Sequence, residues 1–379
     1  MKRHKNIPAI ITQILFSAIM LLLSTELAAN ALRPTPFASA AKADTVEKKR
    51  SSFAGLPILT HSPETKLAVG AAGSYFYRSA GSDTANRPST IGASLIYTQK
   101  KQIEIGLGVD LYWKDDTYNF SGGISYSKFP DTFYGTGNNT SEDLAEDYTP
   151  RTFGLGLSFQ KTVRRSLYLG IQYQLSHEKL LEVEKNGLLA KGNILGSADG
   201  VVSSAGLSVN RDTRNNIFYP SSGGFYGFSV SLSSRAIGSD FDFNEYSVDL
   251  RKYIPLFSSH VLAFQGAMNM MTGDPPFQAL SQLGGVLRGY FAGLYRDKNL
   301  LAGQVEYRMP VWWRFGLAAF AGYGDVADKV SHFERKSFKY SVGWGIRYLL
   351  IRDEKINLRL DFGYGKGSSE FYINISEAF

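Results

Sequence analysis

Ile356-Asn357-Leu358-Arg359-Leu360-Asp361-Phe362-Gly363-Tyr364 alternates without a break. In an extended chain successive side chains point to opposite faces, so Ile356, Leu358, Leu360, Phe362 and Tyr364 share one face and Asn357, Arg359, Asp361 and Gly363 the other. The same pattern recurs upstream. In residues 338–348 an apolar face of Phe338, Tyr340, Val342, Trp344, Ile346 and Tyr348 opposes Lys339, Ser341, Gly343, Gly345 and Arg347. In residues 103–113 Ile103, Ile105, Leu107, Val109, Leu111 and Trp113 oppose Glu104, Gly106, Gly108, Asp110 and Tyr112. Strict alternation is the signature of a strand with one apolar and one polar side.

The length of these runs decides between fold classes. Strands of soluble sandwiches are usually about five or six residues long. A strand tilted across a bilayer needs about 9–11, and these runs meet that length. Their second face is rich in Gly, Ser, Asn, Gln and charge, as a barrel lumen requires. Aromatic residues gather near the run ends (Tyr75, Tyr77, Tyr97, Trp113, Tyr126, Trp312, Trp313, Tyr364), where interfacial girdles sit.

The expected fold is therefore all-β: a transmembrane antiparallel barrel of about sixteen strands. The runs lie near 54–61, 65–78, 88–98, 102–113, 116–127, 151–162, 165–178, 200–212, 223–235, 242–254, 258–271, 298–309, 313–323, 337–349, 355–366 and 369–379. Their connections sort into a long set (128–150, 179–199, 272–297, 324–336) and a short set (163–164, 255–257, 310–312, 350–354). Long outer loops and short periplasmic turns are the rule for outer-membrane barrels, which puts both ends of the barrel domain in the periplasm. The connections 79–87 and 213–222 are longer than tight turns, the latter with the turn chemistry Tyr219-Pro220-Ser221-Ser222-Gly223.

The N-terminus reads differently. Lys2, Arg3 and Lys5 precede an apolar stretch from Ile7 to Leu23, and small residues follow at Ala28-Ala29-Asn30-Ala31 and Ala38-Ser39-Ala40. That order predicts a secretory signal peptide within residues 1–40, cleaved after Ala31 or after Ala40. A single membrane anchor is the competing reading, disfavoured because Thr12 and Gln13 interrupt a short run. Residues 41–53 are expected to be a short periplasmic lead-in and residues 54–379 the barrel. The chain has no cysteine, which excludes a lipoprotein anchor, disulfide staples and thiolate chemistry. Of the net charge of +7, residues 1–50 carry +5 (eight Lys and Arg against three acids), leaving +2 on the rest. A body so close to neutral has no electrostatic footprint for nucleic acid.

Four segments carry a family resemblance. Leu283-Gly284-Gly285-Val286-Leu287-Arg288-Gly289-Tyr290 lies in the longest late loop; Asp212-Thr213-Arg214-Asn215-Asn216 precedes Tyr219-Pro220 and Gly223-Gly224; Glu306-Tyr307-Arg308-Met309-Pro310 closes the twelfth run; and Phe371-Tyr372-Ile373-Asn374-Ile375-Ser376-Glu377-Ala378-Phe379 ends the chain. Together they resemble the bacterial surface antigen family, the barrel part of the superfamily of BamA-type assembly proteins and two-partner-secretion translocases. The resemblance spans residues 54–379. It implies that the sixth outer loop folds into the lumen with Arg288, Gly289 and Tyr290 at its tip. It also implies a role in outer-membrane protein assembly or polypeptide translocation, and a C-terminal sorting and insertion signal that includes Phe371 and Phe379. Expected partners are outer-membrane lipid and the barrel-assembly machinery for the chain's own insertion. A separate periplasmic POTRA-like or chaperone partner is expected too, because family members carry POTRA domains and this sequence is read as having none.

One departure bears on the loop. The family's arginine usually meets an acid in a Phe-x-Asp-x-Gly pattern on the thirteenth strand, but here that stretch is Phe320-Ala321-Gly322-Tyr323-Gly324. A guanidinium in a confined lumen still needs a partner. Alternation turns Gln304, Glu306 and Arg308 inward on the twelfth run and Arg359 and Asp361 inward on the fifteenth, so Arg288 is expected to pair with Glu306 or Asp325. Other function classes find less support. His4, His61, His177, His260 and His332 have no metal-ligand spacing, and no nucleophile elbow or phosphate loop is present. No enzyme, metal or cofactor is expected. A passive solute pore, with Glu104, Asp110, Arg347, Arg359 and Asp361 setting selectivity, is the alternative function.

Overall fold

A computed structural model describes residues 51–62, 66–78, 86–257 and 259–379. The expected signal peptide, and residues 41–50 of the lead-in, lie outside the described residues.

Sixteen long strands carry the fold: β1 Ser51–Ser62, β2 Lys66–Tyr77, β3 Ser89–Thr98, β4 Ile103–Trp113, β5 Tyr118–Lys128, β6 Glu146–Arg164, β7 Leu167–Val183, β8 Gly200–Asp212, β9 Gly223–Ser233, β10 Phe243–Leu256, β11 His260–Gly273, β12 Asn299–Trp312, β13 Phe315–Ala327, β14 Lys339–Ile351, β15 Ile356–Gly365 and β16 Ser368–Ile375. Each is laddered antiparallel to the next. The sheet curls until its concave face meets itself. The turn before β9 sets Phe218 edge-on to Phe76 of β2, with ring centroids 5.6 Å apart. Past β16, Phe379 is buried with Tyr253 of β10 and with Val261 and Ala263 of β11. Flat sheets do not bring such distant strands together; a barrel does.

The two faces sort as the alternation requires. Leu95, Leu107, Ile171, Leu207, Phe228 and Trp344 point outward and stay exposed, whereas Ser94, Asn119, Gln172, Ser208 and Asn210 are buried on the inside. A soluble protein rarely exposes so large an apolar band; a lipid-facing wall must. Aromatic clusters mark the periplasmic rim. Trp113 stacks on Tyr118 at 5.7 Å, and Phe315 packs on Tyr348 at 5.2 Å beside Trp312 and Trp313.

Several strand boundaries differ from the sequence reading, and three of the differences bear on how the barrel closes. The β6–β7 hairpin is longer at both strands, 19 and 17 residues, because charged residues such as Glu146, Asp147, Lys179 and Glu182 extend the ladder beyond the apolar run as a polar ribbon. The last strand stops at Ile375 rather than running to Phe379. Ser376 adopts a left-handed conformation (φ 73°), and residues 377–379 turn into the lumen. The first strand is already formed at Ser51, the first described residue, three residues before the alternation placed its start. β1 is laddered to β2 and β16 to β15; one apolar cluster that includes Ala54, Phe76, Ile356 and Ile375 spans the two ends of the sheet.

The wall's orientation predicts a sharp asymmetry. Leu207 is 60% exposed on the outer face, and Leu207→Arg should destabilise the barrel in vesicles by about 2–4 kcal/mol. On the lumen face, where polar groups and water can solvate a charge, Gln174→Arg at a half-buried position should cost much less. Urea unfolding followed by tryptophan fluorescence distinguishes the two.

Candidate functional site: a loop locked into the lumen

Residues 274–298 join β11 to β12 and fold inward. A two-residue antiparallel pair, Ser281–Gln282 with Arg296–Asp297, closes the base of the loop. Its apolar residues Leu283, Leu287, Tyr290, Leu294 and Tyr295 make a buried cluster with Leu300 and Ala302 of β12, Val326 of β13 and Tyr134 from the β5–β6 loop. The inward-facing Gln304 donates to the main-chain oxygen of Val286 at 2.9 Å and to Gln265 at 2.8 Å, tying the loop to the wall.

The loop tip meets β15 backbone to backbone. Gly289 has φ 103°, and a Cβ there would lie 2.8 Å from the main chain of Tyr364. Facing it, a Cβ on Gly363 would lie 2.6 Å from the Gly289 nitrogen. Glycine at both positions permits the approach. The Gly289 N–H donates to the Tyr372 hydroxyl at 2.8 Å, and the Tyr290 hydroxyl donates to the Tyr340 carbonyl and accepts from the Lys366 N–H at 3.1 Å. The Ser341 hydroxyl donates to the Arg288 carbonyl.

Arg288 then enters a network of buried charge. Its Nη1 lies 2.6 Å from Glu306 Oε2 and 2.6 Å from Asp361 Oδ2. The guanidinium also caps the Phe320 ring, 3.4 Å from its centroid. Arg347 bridges three acids: Asp361 at 2.6 Å, Glu377 at 2.8 Å and Glu306 at 3.4 Å. Arg308 binds Glu306 at 2.7 Å and donates to the main-chain oxygen of Phe379 at 2.9 Å, and Arg359 lies 3.5 Å from Asp361. Glu306 and Asp361 are wholly buried (0% exposed) and Arg288 is 6% exposed. Alternation supplies the side chains: Glu306 and Arg308 from β12, Arg347 from β14, Arg359 and Asp361 from β15. The glycines of β14 supply the room, since a Cβ on Gly343 would strike Phe320 and one on Gly345 would strike Asp361.

Of the two acids expected for Arg288, Glu306 is a partner and Asp325 is not. Asp325 lies five residues past Phe320, roughly 17 Å further along the strand, toward the outer rim. There it accepts from Lys339 Nζ at 2.8 Å, from Asn138 at 3.2 Å and from the Ser337 hydroxyl. The second partner is Asp361, which the alternation turned inward without linking it to the loop. At Gly322, where the family acid would stand, a Cβ would lie 2.6 Å from Leu287, so the loop's own leucine fills that space. Phe371 faces outward and packs on Phe362 at 4.6 Å, in line with Trp344; Phe379 is buried in the lumen.

The periplasmic mouth holds a second closure that the sequence did not announce. In residues 213–222 the Asn216 side chain accepts from the Phe218 and Tyr219 N–H groups at 2.8 and 2.7 Å, and Arg214 forks onto Asp212 at 2.7 Å. The turn lies across the mouth, with Tyr219 against Phe379 and with the Phe218 carbonyl accepting from the Glu377 N–H at 3.3 Å. Burial there pushes the Tyr219 phenol up to about 12. Beside it Arg78, just past β2, makes a bidentate pair with Glu354, just before β15, at 2.5 and 2.8 Å. This pair joins the two ends of the sheet.

The geometry predicts that Arg288→Ala leaves buried acids undercompensated and costs about 3–5 kcal/mol, seen as a lowered unfolding temperature and as loss of lumen closure. Asp325→Asn should leave the lumen closed. Equal leakiness of the two variants in single-channel recordings would contradict the assignment of partners.

Comparison with known proteins agrees with this architecture. The model of the Omp85 superfamily domain matches residues 80–379. Among solved structures, BamA from Haemophilus ducreyi lacking POTRA domains 1–3 superposes with a TM-score of 0.55 at 16% identity, covering 95% of this chain and 78% of that one. CdiB from Acinetobacter baumannii superposes with a TM-score of 0.55 at 12% identity, covering 86% of this chain and 60% of that one. No curated protein matches. At these identities the superpositions speak for the fold alone, and the family match covers most of the sequence: the chain is an outer-membrane β-barrel that belongs to the Omp85 superfamily.

Proposed function

We propose that this barrel takes part in outer-membrane protein assembly or in polypeptide translocation. The observation that carries the reading is a lumen closed at both levels. Loop 274–298 is pinned above by Arg288 on Glu306 and Asp361, and the turn 213–222 lies with Phe379 below. A barrel closed in this way is poorly suited to passive solute flow, whereas a regulated passage or a membrane-side seam is compatible with it. Family membership supports the same reading. So does the meeting of β1 and β16 at the two ends of the sheet, since the edge between the first and last strands is where a client strand would add by β-augmentation. Clients would reach it through a separate periplasmic partner, POTRA-like or a chaperone. Phe371 and Phe379 would act earlier, as the chain's own insertion signal. The reaction is one of binding and strand exchange and asks for no catalytic side chain.

The test uses proteoliposomes holding the barrel and a urea-unfolded client barrel. Client folding should speed up several-fold over empty liposomes. The speed-up should be lost when cysteines introduced into β1 and β16, in a chain with none of its own, are oxidised to bridge the seam, and should return on reduction. A parallel bilayer recording should find the wild type silent or flickering, and a variant lacking residues 274–296 steadily conducting. A large steady conductance in the wild type that the deletion leaves unchanged would favour the passive pore instead.

A further inference from the structure

On the outer wall, β10 to β13 leave a notch that the rest of the barrel's apolar band does not explain. One row of lateral neighbours runs Tyr226, Leu250, Gly266, Gly303, Tyr323 across β9 to β13. Gly266 and Gly303 are direct partners, so two adjacent strands present no side chain at the same level. A Cβ on Gly266 would meet nothing within 4 Å, and one on Gly303 would meet only a carbonyl oxygen at 3.8 Å. Neither glycine is needed for a turn or for packing. What their absence of side chains creates is a groove of about 630 Å³, walled by Leu250, Phe264, Val305 and Tyr323.

Lys252 lines the same groove. It lies opposite Phe264, one row nearer the periplasm, and is exposed. No hydrogen bond or ion pair of its side chain is found among the described residues. A cation on a lipid-facing wall costs about 2–4 kcal/mol at the bilayer midplane and far less near an interface. Lys252 is four residues from the end of β10, so its flexible stem can carry the ammonium toward the periplasmic headgroups. The anion available at that level is a lipid phosphate, and the groove rises from the lysine toward the bilayer centre, where an acyl chain would run.

We infer that this groove is a binding site for one phospholipid of the periplasmic leaflet, with an acyl chain over Gly266 and Gly303 and the phosphate at Lys252. The polar end and the apolar end of the site match the two ends of that molecule. A second barrel docking on this wall would need to bury Lys252 against apolar surface, which charge complementarity disfavours.

The experiment is native mass spectrometry of the full chain, purified in mild detergent from membranes and reconstituted with phosphatidylglycerol. The wild type should retain one lipid through detergent exchange. Gly303→Leu, which fills the notch where there is open space, and Lys252→Gln should each lower retention about tenfold. Ala93→Leu, on the outer face of β3, should not. Heat-modifiable migration confirms that each variant is folded. Equal retention by all four proteins, or a dimer that forms in the wild type without lipid and is lost in Gly303→Leu, would overturn the proposal.

Discussion

A desolvated guanidinium has few stable surroundings, and Arg288 occupies one of them. One of its nitrogens sits between two carboxylates that are themselves fully buried. Neither acid belongs to Arg288 alone, because Glu306 also serves Arg308 and Arg347, and Asp361 also serves Arg347 and Arg359. Coulombic gain in such a place offsets desolvation only when every member keeps its partners. The consequence is cooperative. The loop tip, the strands β12, β14 and β15, and the chain end, through Glu377, hold one another in register. The loop's apolar cluster and its backbone contact with Gly363 follow from that anchorage, since both require the tip to lie deep in the lumen.

The wall obeys a different constraint. In lipid every backbone group must find a partner within the protein, which only helices and closed barrels achieve. The ladders from β1 to β16 satisfy that requirement around the wall. Contacts at the periplasmic mouth also tie the first and last strands together. Arg78 and Glu354 clasp across the ends of the sheet, and Phe218 packs into the cluster that contains residues from both. The seam is thus held by side chains of the turns below it, while the lumen is held by side chains above.

Much of this is legible in the sequence. Alternation assigns Glu306, Arg308, Arg359 and Asp361 to the lumen, and the structure buries all four there. The same alternation cuts β6 and β7 short, because charge along Glu146–Asp147 and Lys179–Glu182 breaks the apolar rhythm. The ladder itself does not depend on that rhythm once it leaves the membrane. Asp325 suggests itself for Arg288 because it lies near the place where the family keeps its acid. Depth in the lumen rules it out, and depth is not a property of a single strand.

The order of the strands and their faces came from the sequence, because a two-residue period and a bilayer of fixed thickness are local constraints that each run must satisfy alone. The partners of Arg288, the inward turn at Ser376, the lid at residues 213–222 and the Arg78–Glu354 clasp came only with the tertiary structure. Each joins segments far apart in the chain, and which of them meet depends on the curvature and stagger of the whole sheet.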